Sequence, residues 1–139
     1  MQNFLPPLYL YVGSIVTLRI RETLGLAIHF GVVTDRIGLD GLPMVIANSP
    51  SRGGPALMTW SEFSQGQPIM DVYYPSSLPS PVVLQRAYSM FGTRYDLLNW
   101  NCEHFANVCH GRPAISLQVR TVAAVAAVTG IALLLAKAA

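Results

Sequence analysis

Alternating apolar and polar positions predict four β-strands in the first two thirds of the chain. The alternating segments are rich in β-branched residues and are bounded by glycine, proline or polar turn residues. They cover residues 14–21, 26–34, 43–48 and 69–74. Residues 35–42 and 49–55 contain glycine or proline and are predicted to be loops, and residues 61–63 are predicted to form one helical turn.

Two helices are predicted after these strands. Ser80 and Pro81 suit the N-cap and first turn of a helix that runs to about Phe91 and ends at Gly92. A second helix is predicted over residues 102–110. Strands followed by helices, without an evident internal repeat, predict an α+β domain with a mainly antiparallel sheet packed against helices.

The second predicted strand carries a histidine. Because side chains alternate along a strand, His29 shares a face with small residues, including Ala27 and Gly31, while larger residues such as Phe30 lie on the other face. We therefore expect another element, or a substrate, to approach the strand on the His29 side.

A long apolar run lies near the C-terminus. Residues 121–136 contain no charge and lie between Arg120 and Lys137. As a helix this run is about 24 Å long, which is short of the ~30 Å hydrocarbon core unless flanking residues extend it. A membrane anchor is one interpretation, and a buried or oligomerising helix is the other. Small residues at Ala126 and Gly130 would let two such helices approach closely and self-associate in a membrane.

Composition excludes some other functions. The 139-residue chain carries a net charge of only +2 and no dense basic stripe, so nucleic acid is not an expected partner. The first 13 residues lack the basic start of a secretory signal. Arg112 and Arg120, just before the apolar run, favour a cytoplasmic orientation of the rest of the chain.

The most informative motif is NCEHF, residues 101–105. Asn101 is predicted to cap the second helix, which places Cys102 in the first turn, where free N–H groups and the helix dipole favour a thiolate. His29, brought close by the fold, would act as the base, and Asn48 is the candidate third group that orients the imidazole. Cys109 lies about 10.5 Å from Cys102 along the same helix, too far for a disulfide, and is interpreted as a core residue.

The other two polar residues of NCEHF are given structural roles. His104 lies about 200° around the helix from Cys102, so it should not face the sulfur. Glu103 complements the dipole of the first turn. A zinc site formed by cysteines and histidines of this helix is not favoured, because helical spacing scatters them and no C-x-x-C pair is present.

Residues 95–113, which include NCEHF, together with HFGVV at residues 29–33 and the apolar C-terminal run, resemble the lecithin retinol acyltransferase-like family. This resemblance implies a permuted papain-like domain in which Cys102 is the nucleophile, His29 is the general base and Tyr95 lies in the loop that leads to the site. The family commonly has a histidine at the end of the neighbouring strand, where this chain reads Ala47 and Asn48. The resemblance therefore leaves the third catalytic position open.

The resulting hypothesis is an acyltransferase or phospholipase that acts on lipid acyl esters through a Cys102 thioester, with Asn101 and Tyr95 lining the site. No cofactor or metal is expected. The alternatives are an amidase or peptidase that acts on peptide or cell-wall amides, and a membrane-tethered interaction module with a weakened site. The catalytic domain is predicted at residues 1–118 and the tail at residues 119–139, with a phospholipid and the membrane as partners.

Overall fold

The computed structural model describes residues 11–138, except for the side chains of Glu22, Ile131, Ala132 and Ala138. Residues 1–10, where a secretory signal was not expected, lie outside the described residues. So do the first residue of the predicted catalytic domain (1–118) and the last residue of the predicted tail (119–139). Five strands of the described part of the chain form one sheet: β1 Ile15–Arg19, β2 Ile28–Ile37, β3 Pro43–Ser49, β4 Gly54–Met58 and β5 Asp71–Tyr73. Their order is β4-β3-β2-β1-β5, and every neighbouring pair is antiparallel.

Within residues 11–138, four α-helices accompany the sheet: α1 Trp60–Ser64, α2 Ser80–Ser89, α3 Cys102–Cys109 and α4 Leu117–Ala138. The predicted α+β class with an antiparallel sheet is therefore confirmed, and the arrangement is consistent with a permuted papain-like domain.

The two faces of the sheet carry different helices. On one face Phe63 and Trp60 of α1 pack against a cluster that includes Val33 and Ala47. On the other face Phe105 of α3 packs with the neighbouring strand residues and with α2. Because successive residues of a strand point to opposite faces, β2 and β3 each contribute to both layers.

The strand β4 was not predicted from the sequence. Residues 49–55 were predicted to be a loop because they contain two prolines and two glycines, but only Pro50–Arg52 form a 3-10 turn, and β4 begins at Gly54. Gly54 is needed there because a Cβ would lie 2.2 Å from the carbonyl oxygen of Thr93. The glycine that argued against a strand is thus required by a close backbone approach.

The first residues of β2, 28–31, are not paired with β3. Pairing with β1 covers residues 28–32 of β2, whereas pairing with β3 begins at Val32. On the β3 side, the backbone groups of Ile28 and Phe30 are therefore left for other partners.

The C-terminal helix is longer than the charge-free run. It begins at Leu117, so its 22 residues span about 33 Å, enough to cross a ~30 Å hydrocarbon core. The most apolar 18-residue window of the segment Leu117–Lys137 has a mean hydropathy of 2.1, and none of that window is buried. By length and composition α4 is a candidate membrane span, and it is not a core helix of this domain. Self-association through α4 stays a prediction.

Candidate functional site

The first turn of α3 is closed by reciprocal side-chain hydrogen bonds. The Asn101 side-chain oxygen accepts the N–H groups of Glu103 at 2.9 Å and His104 at 3.2 Å. The Asn101 N–H in turn donates to Nδ1 of His104 at 3.0 Å. This is a capping box, with histidine in the position usually held by glutamate or glutamine. The predicted roles of Asn101 as N-cap and of His104 as a structural residue are both confirmed.

Cys102 follows the cap and points at the open edge of β2. Its thiol donates to the carbonyl oxygen of Ile28 at 3.7 Å, and the backbone N–H of Phe30 lies near enough to the sulfur to lower the pKa of the thiol. The side chain is 8 % exposed and packs with Phe30, Ile15 and Ala106. The sulfur thus takes part of the place that a β3 backbone would occupy in a continuous sheet.

His29 lies on the opposite face of the same strand. Its ring stacks on Phe63 of α1, with 4.8 Å between ring centroids. It lines a cavity of about 560 Å³, here called the His29 cavity, which does not include Cys102. Neither ring nitrogen has a hydrogen-bond partner among the described residues. The thiol and the imidazole therefore both lie at residues 28–30 of β2, but on opposite faces of the strand.

The Cys102 thiol and the His29 imidazole are both neutral at physiological pH. Burial raises the pKa of Cys102 from 9.0 to about 11, while the N–H groups of Phe30, Cys102 and Glu103 lower it by less. Burial also lowers the pKa of His29 from 6.5 to about 4. The expectation that the surroundings of Cys102 lower its pKa is wrong for this state, because desolvation outweighs the backbone donors and no imidazolium faces the sulfur.

Asn48 is located on the Cys102 side of the sheet. Its side-chain amide donates to the carbonyl oxygens of Trp100 at 2.7 Å and Asn101 at 3.2 Å, so it fixes the loop that enters α3. The residue that shares the His29 face is Ala47. The structure therefore does not bring Asn48 to the imidazole. Within the part of the chain that the structure describes, its buried Oδ1 has no hydrogen-bond partner.

Tyr95 belongs to the loop before α3, as predicted. Its N–H donates to the carbonyl oxygen of Gly53 at 3.0 Å, which ties this loop to the start of β4. With Cys102 and Asn101, Tyr95 lines a second cavity of about 640 Å³, here called the Cys102 groove. Burial raises the pKa of the Tyr95 hydroxyl, and the nearby Cys102 raises it further.

Two features of the site were not predicted from the sequence: the role of Gln118 and the buried contacts of Glu103. Gln118 acts as a substitute strand partner: its side-chain oxygen accepts the N–H of Ile28 at 2.7 Å, and its amide donates to the Ile28 carbonyl at 3.1 Å. The buried Glu103 carboxylate accepts the Ser116 hydroxyl at 2.6 Å and the N–H groups of Leu117 and Gln118. Ser116, a polar residue before an apolar run, was the available signal that α4 begins this early.

Replacing Glu103 with alanine should destabilise the protein by about 3 kcal/mol, because it leaves buried hydroxyl and N–H donors at the root of α4 without an acceptor. The free energy of unfolding from urea titration in detergent measures this loss. The matched control is Asp35→Ala, at an exposed carboxylate on β2, which should change stability by less than about 0.5 kcal/mol. Equal effects of the two substitutions would contradict the assigned role of Glu103.

No metal centre is apparent in the part of the chain that the structure describes, where no three histidine, cysteine or acidic side chains are grouped to bind an ion. His110, the remaining histidine, is held by the Ser76 hydroxyl at 2.6 Å and the Gly13 carbonyl at 2.8 Å, and so it is a structural residue. Cys109 is fully buried in the core, as predicted, and both cysteines are free thiols.

A protein-family model matches part of the chain. The family model for lecithin retinol acyltransferase matches residues 57–113, which extend from β4 through α3 and include NCEHF. The resemblance to the lecithin retinol acyltransferase-like family is thereby confirmed over the segment that carries Cys102, and β2 with His29 lies outside it. Comparison with curated proteins and with solved structures gives no match.

Proposed function

We propose that this protein, resembling lecithin retinol acyltransferase, is a thiol-dependent acyltransferase or hydrolase that acts on lipid acyl esters, with Cys102 as nucleophile. The observation that carries the proposal is the position of Cys102 in the family-matched segment. The thiol lies in the first turn of α3, and the backbone N–H groups of Phe30, Cys102 and Glu103 lie around the sulfur. Such donors favour a thiolate once a base removes the proton.

The proposed reaction begins when the sulfur of Cys102 attacks the carbonyl carbon of an acyl ester. A carbon–sulfur bond forms, the carbon–oxygen bond breaks, and the proton from the thiol passes to the departing alkoxide. The N–H of Cys102, which has no acceptor within the helix because of its position in the first turn, can donate to the oxyanion. Water or another nucleophile then cleaves the thioester.

His29 is the proposed base. In support, the imidazole is neutral, neither of its nitrogens has a hydrogen-bond partner among the described residues, and it belongs to the strand whose backbone contacts the sulfur. Reaching the sulfur requires the imidazole to leave Phe63 and turn through the open edge of β2, where β3 does not pair. The proposal therefore includes a local rearrangement on substrate binding.

Intact-mass measurement after incubation with mixed phospholipid vesicles tests the function. We expect one acyl adduct per chain, which peptide mapping locates on Cys102. Cys109→Ala removes the other thiol and should retain the adduct. A variant that lacks residues 120–139 should lose acylation from vesicles.

The same measurement separates the alternatives. Transfer from amide substrates but not from esters would indicate an amidase or peptidase. No adduct from any substrate, at any pH between about 6 and 10, would overturn the proposal and favour the interaction module.

A further inference from the structure

The Cys102 groove lies between the domain and the N-terminal part of α4. One wall is a stripe of α4 residues spaced by three and four positions: Val119, Val122, Ala123 and Ala126. The opposite wall includes Leu26 from the β1–β2 connection and Leu97 and Leu98 from the loop before α3. Its volume of about 640 Å³ is within the ~300–1,000 Å³ usual for small-molecule sites.

The lining of the groove has no charged side chain among the described residues, although several of its residues are polar. The His29 cavity differs, because Arg19, Arg52 and Glu62 lie along it. An uncharged, mostly aliphatic groove cannot recognise a peptide backbone or a head group through ionic contacts, but it matches a hydrocarbon chain.

The position of α4 along this groove is set by hydrogen bonds. Glu103 accepts N–H groups from the first turn of the helix, and Gln118 bonds to the Ile28 backbone. Glu103 is the residue next to the candidate nucleophile. These hydrogen bonds therefore fix the first turn of α4, and with it the α4 wall of the groove, relative to the thiol. The groove starts at Cys102 and continues beside a helix long enough to cross a bilayer.

The domain also presents apolar residues beside this helix. Leu26 is 83 % exposed, and Leu24, two residues earlier, is 91 % exposed with a positive φ of 56°. A large apolar side chain held in the left-handed region at an exposed turn is unfavourable in water. Contact with lipid would remove that exposed apolar surface from water.

We propose that the Cys102 groove is the acyl-chain site, in which one fatty acyl chain of a membrane lipid lies along α4 with its ester carbonyl at Cys102. This inference rests on the proposed function, and it adds that α4 forms a wall of the site and selects chain length. Ala123 and Ala126 leave the room that the chain occupies. Ala126 lies about 10 Å further along the helix than Val119, so its size limits how far the chain extends.

Substitution at neighbouring alanines tests the proposal. Ala126→Phe fills the groove, whereas Ala127→Phe adds the same bulk one position around the exposed helix, outside the lining. With phospholipids of graded chain length, Ala126→Phe should lower thioester formation from long chains by about tenfold relative to short chains. Ala127→Phe should match the wild type. Identical chain-length profiles for the two variants would overturn the acyl-chain site.

A binding measurement without chemistry separates this inference from the proposed function. Full-length Cys102→Ala protein in nanodiscs is irradiated with an ether-linked phospholipid that carries a diazirine at the chain end. Crosslinks at Leu26, Leu97 or Leu98 that Ala126→Phe removes and Ala127→Phe retains are expected. Their absence overturns the groove. Their presence, with no thioester in the wild-type protein, would reject the proposed function and leave the groove as a lipid site.

Discussion

Cys102→Ser should reduce acyl transfer from phospholipid vesicles by about 10³-fold or more, because a serine hydroxyl is a much weaker acid than a thiol and stays protonated and poorly nucleophilic beside the same base. The substitution nearly preserves side-chain volume, and a hydroxyl can keep the hydrogen bond to the Ile28 carbonyl. Loss of rate with an unchanged melting temperature would therefore report chemistry rather than folding. Release of labelled fatty acid or of the acylated product measures the rate.

Cys109→Ser provides the comparison for this prediction. Cys109 lies on the same helix but is fully buried between α3 and the sheet, so its replacement by a polar hydroxyl should lower stability and leave turnover per folded molecule unchanged. If Cys102→Ser retained wild-type turnover, or if both variants lost it equally at matched folded fractions, Cys102 would not be the nucleophile.

Local patterns predicted most of the elements correctly. The alternation in β2 placed His29 opposite Phe30, and the structure confirms this, with Phe63 filling the space above Gly31. A Cβ at Gly31 would lie 2.8 Å from the Phe63 ring. The small residues of that face were thus correctly interpreted as room for an approaching element.

What the alternation could not predict is which helix approaches which face. The element on the His29 side is α1, whereas α3 and Cys102 lie on the other side. That choice depends on how the loops between β3 and α3 cross the edges of the sheet. Neither the motif NCEHF nor the spacing from His29 to Cys102 carries this information.

The role of Glu103 shows a second limit. Its position in the first turn correctly predicted a structural function, but the dipole alone would not require burial. Its partners, Ser116 and Gln118, lie 13 and 15 positions later in the chain and meet it only because α4 starts beside α3. Contacts of this kind follow from tertiary packing and are not visible in local periodicity.

Alkylation of Cys102 in the lipid-free protein should accelerate about tenfold per pH unit from pH 7 to about pH 10, without a plateau, because only the thiolate reacts. The slope follows from burial, which raises the pKa of Cys102 to about 11. The folded protein binds this proton more tightly than the unfolded chain does. The protonated thiol of Cys102 therefore contributes stability that is fully present below about pH 9. That contribution is lost as pH rises toward 11. Iodoacetamide labelling, quantified by peptide mass spectrometry, measures the rate at each pH.

His29→Phe determines whether the imidazole already assists the thiol. Phenylalanine can keep the stack on Phe63, and with the imidazole on the other face of β2 the substitution should leave the lipid-free pH profile unchanged. Cys109, whose pKa is raised to about 12 by burial, should label more slowly throughout and serves as the internal reference. A plateau near neutral pH that His29→Phe abolishes would show an imidazole-stabilised thiolate before substrate binds. The rearrangement at the open edge of β2 would then be unnecessary.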